Sequence, residues 1–252
     1  MKKIIFLLTL LIGAKAWANI SIYPYNLDFD AASRKRVQSI RVINKSNKRQ
    51  TYRISVIDLQ QNSNGDMKET KDSKNSAKNY LQFSPRQFTL EPNLVQTVNI
   101  AQKGLANAPD NEFFSFLQIT ETKLGEEPKK SGEENKKLSI ELTPLFSVRV
   151  PVKIQKGSNL FSNTDIGSLA LKKNKLDILL KRTGNISSNV NLALLDGKKK
   201  EISRLNSVKI YPPNNELKIK MDVKEGALNG DGVLKLEDAT SKKEILTKSV
   251  HK

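Results

Sequence analysis

Residues 138–154 read LSIELTPLFSVRVPVKI, and this stretch decides the fold. Every even-numbered position in it is apolar, and most odd-numbered positions are polar. Side chains on a β-strand point alternately to its two faces, so the pattern predicts one long strand with one apolar face. At ~3.3 Å per residue the strand would span roughly 50 Å or more. That is longer than an ordinary strand of a β-sandwich.

This stretch has two interpretations. In the first, it is a single core strand that is interrupted at Pro144 or Pro151. In the second, the part before Pro144 offers a row of apolar side chains to a partner, and the part after it, through Pro151, belongs to the protein's own core. Pro144 favours an edge position, because proline has no N–H to donate to a central ladder. An exposed apolar edge strand promotes aggregation, so its retention indicates a binding partner.

The rest of the chain also alternates with a period of two residues and is rich in β-branched and aromatic residues. No window shows a sustained 3.6-residue apolar period, which excludes a mainly helical fold. The pattern predicts an all-β protein of two immunoglobulin-like β-sandwich domains, with limits at residues 19–156 and 157–252. The limits rest on the polar sequence QKGSN at residues 155–159. Two other polar stretches, residues 60–79 and 123–137, are predicted to be surface loops.

The first residues have the features of a secretory signal peptide. Lys2 and Lys3 precede an apolar run over residues 4–12, and Ala16-Trp17-Ala18 is a small-x-small cleavage pattern. The run is about half of the ~20 residues that a membrane-spanning helix needs. We therefore expect cleavage after Ala18 and an exported chain that is not inserted in the membrane.

The chain is strongly basic, with 43 Lys and Arg, 26 Asp and Glu, and a net charge of +17. The basic residues are scattered and are rarely interleaved with aromatic residues, so no nucleic-acid interface is predicted. The tight cluster Lys198-Lys199-Lys200 follows Gly197 and is expected to form a solvated turn. The charge favours solubility and acidic protein partners.

Residues that carry catalysis are scarce. The chain has no cysteine and a single histidine, His251. It has no glycine-rich phosphate loop and no zinc-ligand spacing, and its acidic pairs lie in a predicted loop. The sequence therefore predicts a binding protein with no cofactor and no metal, and not an enzyme.

Several segments, in this order, resemble the periplasmic chaperones of the chaperone–usher pilus pathway, the PapD-like superfamily, and its archaic branch in particular. The segments are Ile22-Tyr23-Pro24 with Leu27; Ile40-Arg41-Val42-Ile43-Asn44; Ser84 through Asn93, where Asn93 replaces the usual glycine; Glu112 through Ile119; Val148-Arg149-Val150-Pro151-Val152; and Thr183-Gly184-Asn185.

The resemblance implies two sandwiches in an L shape, located in the periplasm. It also implies that the chain caps pilin subunits by donor-strand complementation and delivers them to an outer-membrane usher. The subunit-binding residues would then be Leu138, Ile140, Leu142 and Phe146. The unoccupied donor strand could pair with a second copy, which would give a self-capping dimer.

One departure from the family pattern concerns the basic residues that anchor a subunit's C-terminal carboxylate. The expected positions fall near Asn26 and Phe146, and neither is basic. Arg149 and Lys153 are the nearby candidates for the anchor. Two other functions stay open at this point: an exported structural or adhesive immunoglobulin-like surface protein, and a basic exported protein that binds anionic polysaccharide or lipid.

Overall fold

The computed structural model describes residues 19–122, 146–228 and 230–251, and within them the strands follow the two-residue alternation of the sequence. The predicted signal peptide, the predicted loop at 123–137, and the donor residues Leu138, Ile140 and Leu142 lie outside the described residues. The strands are β1 (Ile20–Tyr23), β2 (Leu27–Asp30), β3 (Val37–Asn44), β4 (Gln50–Gln61), β5 (Met67–Thr70), β6 (Leu81–Ser84), β7 (Gln87–Leu90), β8 (Val95–Gln102), β9 (Asn111–Thr122), β10 (Ser147–Lys156), β11 (Ser162–Lys172), β12 (Lys175–Gly184), β13 (Ser188–Leu195), β14 (Glu201–Ile210), β15 (Glu216–Asp222), β16 (Gly232–Asp238) and β17 (Glu244–Val250).

The first sandwich packs two sheets around one apolar core. One sheet has the order β1-β3-β8-β6. The other has the order β2-β10-β9-β4, and β5 and β7 pair with different parts of β4. Alternate residues of each long strand face inward, so that Ile40, Ile100, Leu117, Ile119 and Ile154 are almost fully buried. Burial of such apolar side chains stabilises this sandwich.

The predicted surface loop at residues 60–79 is partly wrong. β5 lies within it and forms a hairpin with the end of β4. The segment after β5 is tied to the sheet because the Ser76 hydroxyl donates to the Asp58 carboxylate at 2.8 Å, and Ser115 Oγ donates to the same carboxylate at 2.5 Å. Ala77 beyond it is buried in the core. Sequence reasoning missed these contacts because the segment contains few large apolar residues.

The second sandwich packs the sheet β11-β12-β15 against the sheet β14-β13-β16-β17. Its core includes Leu176, Leu180, Leu192, Leu194 and Leu234. The sequence pattern located β11 through β16 but missed β17, in which only the last residue, Val250, is fully buried. The all-β fold with two immunoglobulin-like sandwiches is thus confirmed, whereas the domain limits and the L shape stay predictions. The described residues include no helix long and apolar enough to cross a membrane.

Polar and aromatic contacts join the end of β4 and the start of β9 to the second sandwich. Gln61 Oε1 accepts the backbone N–H of Tyr211 at 3.0 Å, and its Nε2 donates to the carbonyl of Lys209 at 3.1 Å. The rings of Phe114 and Tyr211 stack with centroids 4.4 Å apart. Buried Glu112 accepts the backbone N–H of Ser187 at 3.1 Å. These contacts satisfy polar groups that would otherwise be buried without partners.

Asn185 binds the segment that links the two sandwiches. Its Oδ1 accepts the N–H of Phe161 at 3.0 Å, and its Nδ2 donates to the carbonyl of Asn159 at 2.9 Å. Gly184 before it has a φ of +108°, and a Cβ there would lie 2.2 Å from the Phe161 carbonyl oxygen. Glycine is therefore required at position 184 by the close approach of two backbones. Asparagine at position 185 holds the turn through its two hydrogen bonds.

Asn44 offers a test of the first sandwich. Its amide nitrogen donates to the carbonyls of Lys48 at 2.7 Å and Leu90 at 3.0 Å, and its side chain is fully buried. Asn44→Ala removes the donor to both carbonyls and should lower the free energy of unfolding by about 2–3 kcal/mol in a urea titration. The matched control Asn206→Ala, at an exposed position, should change it by no more than ~0.5 kcal/mol. Equal effects of the two variants would contradict this role of Asn44.

Candidate functional site

The candidate site is the edge of β10 that faces away from β9. β10 pairs with β9 along its whole length, from Ser147 to Lys156. On its other side it pairs with β2 only from Val152 to Gln155. Within the described residues, the segment from Ser147 to Pro151 therefore has a strand on one side only. The outward N–H and C=O groups of such an edge are available to another strand.

The side chains of β10 alternate between the first core and the surface. Val150, Val152 and Ile154 are buried in the first core, and Val148 packs against its margin. Phe146, directly before β10, is 52% exposed. The prediction that the part after Pro144 belongs to the protein's own core is thus confirmed for the residues from Val148 onward. Pro151 lies one residue before the pairing with β2 begins, a position where a missing N–H is tolerated.

A groove of about 660 Å³ lies beside this edge, between β10 and β1. In the described part of the chain β1 is the last strand of its sheet, so the two sheets are open to each other here. The lining residues are Ile20, Ser21, Ile22, Tyr25, Lys45, Asn93, Val148, Arg149 and Val150. The groove therefore combines an apolar floor with an unpaired strand edge, a combination that suits an extended polypeptide segment.

Two tyrosines extend the apolar surface at this groove. Tyr25 lines the groove and is 73% exposed, and Tyr23 is 64% exposed. Their rings meet edge to face with centroids 6.3 Å apart. The sequence analysis did not assign these two residues to the site. The available signal was a tyrosine on each side of Pro24, where β1 ends. Such rings add contact area to an interface at low entropic cost.

The charged residues predicted as anchors have different surroundings. Arg149 lines the groove, and its Nε donates to Gln118 Oε1 at 2.9 Å. Lys153 lies where β10 pairs with β2, and its Nζ is 3.3 Å from Asp28 Oδ1. Asn26 donates to the other oxygen of Asp28 at 2.7 Å. Arg149 therefore adjoins the groove, whereas Lys153 already has an acidic partner.

The rim of the groove is positive. Its described lining residues include the cations Lys45 and Arg149 and no acidic residue. Asn93 at the same end has a φ of +63°, a left-handed conformation that asparagine tolerates better than most residues. An acidic group on a bound segment would be stabilised here.

A buried carboxyl lies at the end of β9 beside Phe146. The backbone N–H of Glu121 donates to the Phe146 carbonyl at 3.0 Å, while its side chain is only 5% exposed. Among the described residues, Oε1 of Glu121 and the hydroxyl of the facing Tyr52 have no hydrogen-bond partner. Burial raises the pKa of Glu121, and burial together with the charge of Glu121 raises the pKa of Tyr52 to about 12. The carboxyl is thus held in surroundings that favour its neutral form.

Glu121→Gln tests these surroundings. Because the pKa of Glu121 is raised in the folded state, its contribution to stability is fully present below its unfolded pKa and is lost as pH rises through the folded pKa. Glutamine stays neutral, so the variant should match the natural chain near pH 4 and melt about 2–4 °C higher at pH 8. Differential scanning fluorimetry across this range measures the difference. The control Glu225→Gln, at an exposed position, should show no such divergence; a Glu121→Gln curve parallel to that of the natural chain would contradict the assignment.

No group of three or more His, Asp or Glu side chains is arranged to hold a metal ion in the described part of the chain. His251 is exposed at the C-terminal end of β17, with Nδ1 3.0 Å from Asp231 Oδ1. Lys198 and Lys200 lie in a turn in which both backbone N–H groups donate to Asp196 Oδ1 at 2.9 Å, which confirms the predicted solvated turn. These features do not approach the groove.

The fold is that of known pilus chaperones. The chain resembles the YadV chaperone with a TM-score of 0.50 and 12% identity over 93% of this chain and 100% of that chain. It matches a chain of the CsuC–CsuE chaperone–tip adhesion subunit pre-assembly complex of the archaic chaperone–usher Csu pili of Acinetobacter baumannii (TM-score 0.50, 13% identity, 92% of this chain and 97% of that chain). It also matches a chain of a chaperone–tip adhesin complex of CFA/I fimbriae biogenesis (TM-score 0.50, 18% identity, 92% and 98% of the two chains). No family model matches the sequence, and no curated protein matches it.

Proposed function

We propose that this chain is a periplasmic chaperone of the chaperone–usher pathway, which caps pilus subunits by adding a strand of its own to them. The observation that carries the proposal is the edge of β10 from Ser147 to Pro151, which in the described residues has β9 on one side and an apolar groove on the other. The shared fold of known pilus chaperones supports the proposal.

Backbone hydrogen bonds would supply the affinity. An extended segment of the subunit would lie along the unpaired edge of β10 and exchange N–H and C=O contacts with it. Phe146 and Val148 would then contact the subunit's side chains. Toward its N-terminus the same alternation continues through Leu142, Ile140 and Leu138, outside the described residues, and these side chains would fill the apolar groove of a subunit that lacks its own last strand. Because side chains alternate between the two faces of a strand, a shift of the pairing by one residue would turn the whole apolar row toward solvent. This would fix the register in which chaperone and subunit pair.

The remaining assignments follow from this mode of binding. Capping is an equilibrium process that needs no catalytic group, so the protein would act as a binding protein and not as an enzyme. Its partners would be pilin subunits and an outer-membrane usher. Export by the segment 1–18 would place it in the periplasm, where those partners fold. In the absence of subunits, two copies could cover each other's β10 edge.

The apolar row before Pro144 is tested by charge insertion. Leu138→Asp with Ile140→Asp puts two carboxylates on the face that would enter the subunit, and burial of an unpaired charge is strongly unfavourable. Co-purification with a pilin subunit should be abolished, while the thermal melt of the isolated chaperone should change little.

The control for this test is Ser139→Asp with Thr143→Asp, which adds the same charge to the opposite face of the same strand. It should leave subunit capture intact. Normal binding by the Leu138/Ile140 variant, or unfolding of the isolated protein, would show that these residues are not a donor strand.

The candidate anchors are tested separately. Arg149 borders the groove, so Arg149→Ala should weaken binding of a peptide with a free C-terminal carboxylate by roughly tenfold, the loss of one charge-assisted hydrogen bond. Lys153→Ala should have a smaller effect, because Asp28 already engages Lys153. Fluorescence anisotropy with carboxylate and amide forms of the same subunit peptide measures both. Equal affinity of the two forms for the natural chain would exclude either residue as a carboxylate anchor.

A further inference from the structure

The second sandwich has a groove of about 910 Å³ on the sheet β11-β12-β15. The register places Ser168, Leu179 and Lys218 side by side, and Ala170, Asp177 and Lys220 in the next row. These residues point away from the core, because the intervening Ile178 is buried. The apolar residues that line the groove form its floor, and its cations are Lys172, Lys218 and Lys220; the apolar residues are Ala170, Ile178, Leu179, Leu205 and Ile219.

At both ends of this face, lysines lie beside acidic residues of an adjacent strand. At one end the register places Lys181 between Asp165 and Glu216. At the other end Lys175 Nζ is 3.8 Å from Asp222 Oδ1. Each of these two lysines therefore has an acidic neighbour on an adjacent strand, and Lys175 also lies opposite Lys172 on β11.

The middle rows carry excess positive charge beside the apolar floor. Asp177 is the only acidic residue among the described residues that line the groove, and its carboxylate is 3.2 Å from Lys172 Nζ. In the described part of the chain, neither Lys218 nor Lys220 has an acidic partner within 4.0 Å. The two ammonium groups are alternate residues of β15 and therefore project from the same face.

We propose that this groove binds an acidic, extended segment of a partner protein. Carboxylates of the segment pair with Lys218 and Lys220, and apolar side chains between them rest on Ala170 and Leu179. Residues two apart on an extended chain repeat at about twice 3.3 Å, the same spacing as Lys218 and Lys220 on β15, so the two charge rows match. The concave floor favours a polypeptide, because a flat bilayer would contact the lysine rim and leave the floor empty.

This inference goes beyond the proposed chaperone activity and does not depend on it. The groove belongs to the second sandwich, whereas the β10 edge belongs to the first. One end of the groove is formed by Asn64, in the turn between β4 and β5, and the Lys218 N–H donates to the Ser63 carbonyl at 2.7 Å. The turn between β4 and β5 thus contacts the edge of β15 that does not pair with β12, and this contact fixes the position of the lysines.

The test uses the full mature chain and a fluorescein-labelled twelve-residue peptide of alternating Glu and Val, followed by anisotropy. Lys218→Glu with Lys220→Glu should weaken binding by roughly tenfold or more, since two exposed ion pairs are replaced by repulsion. Lys218→Gln with Lys220→Gln, which removes the charge without reversing it, should weaken binding by a smaller factor. Unchanged affinity in both variants would overturn the proposal.

The matched control is Lys198→Glu with Lys200→Glu, which lowers the net charge equally at an exposed turn. It should bind the peptide as the natural chain does. An equal loss in the control would show that binding follows total charge and would overturn the groove assignment. Phosphatidylglycerol vesicles provide a further arm: sedimentation with vesicles that depends on Lys218 and Lys220, without peptide binding, would replace the protein partner with a lipid surface.

Discussion

The structure depends on one constraint at β10: among the described residues, this strand pairs with two strands over its second half and with β9 alone over its first. From Val152 onward it lies between β9 and β2 and closes the first core with Val152 and Ile154. Before Pro151, β9 is the only strand of the described residues that pairs with β10. Because β2 pairs with β10 only from Val152 onward, and β1 belongs to the opposite sheet, the described residues leave the sandwich open between β10 and β1. The groove and the unpaired edge both follow from this arrangement.

The opening between β10 and β1 lies beside a well-packed sheet. β4 and β9 form the centre of the sheet, and the Asp58, Ser76 and Ser115 contacts hold the segment after β5 against it. An edge strand with a solvent-exposed apolar neighbour such as Phe146 would be a hazard in an isolated protein. A partner that covers this edge would remove the hazard, which is the physical link between the open sandwich and the proposed chaperone function.

The second sandwich fixes the frame in which that edge is presented. Buried Arg182 donates to the carbonyls of Gly184, Ile186 and Asn214, and so orders the turn that contacts the linking segment. Burial lowers the pKa of Arg182, while the nearby charge of Glu112 opposes this shift. Glu112 in turn contacts Gln155 at the end of β10 at 3.0 Å. A polar network thus runs from the linking turn to the strand that carries the candidate site.

The sequence by itself determined the all-β class, most strands and the inward face of β10, because a period of two residues is a local property that each strand carries in its own side chains. It also predicted the solvated turn at Lys198. Strands with few apolar residues, such as β5 and β17, were not visible in it. Only the tertiary structure decided three features: within the described residues, β10 has no second neighbour before Pro151, Tyr25 and Arg149 adjoin the same groove, and Asp28 engages Lys153. Those features depend on which strands meet across distant parts of the chain, and pairing of that kind has no local signature in the sequence.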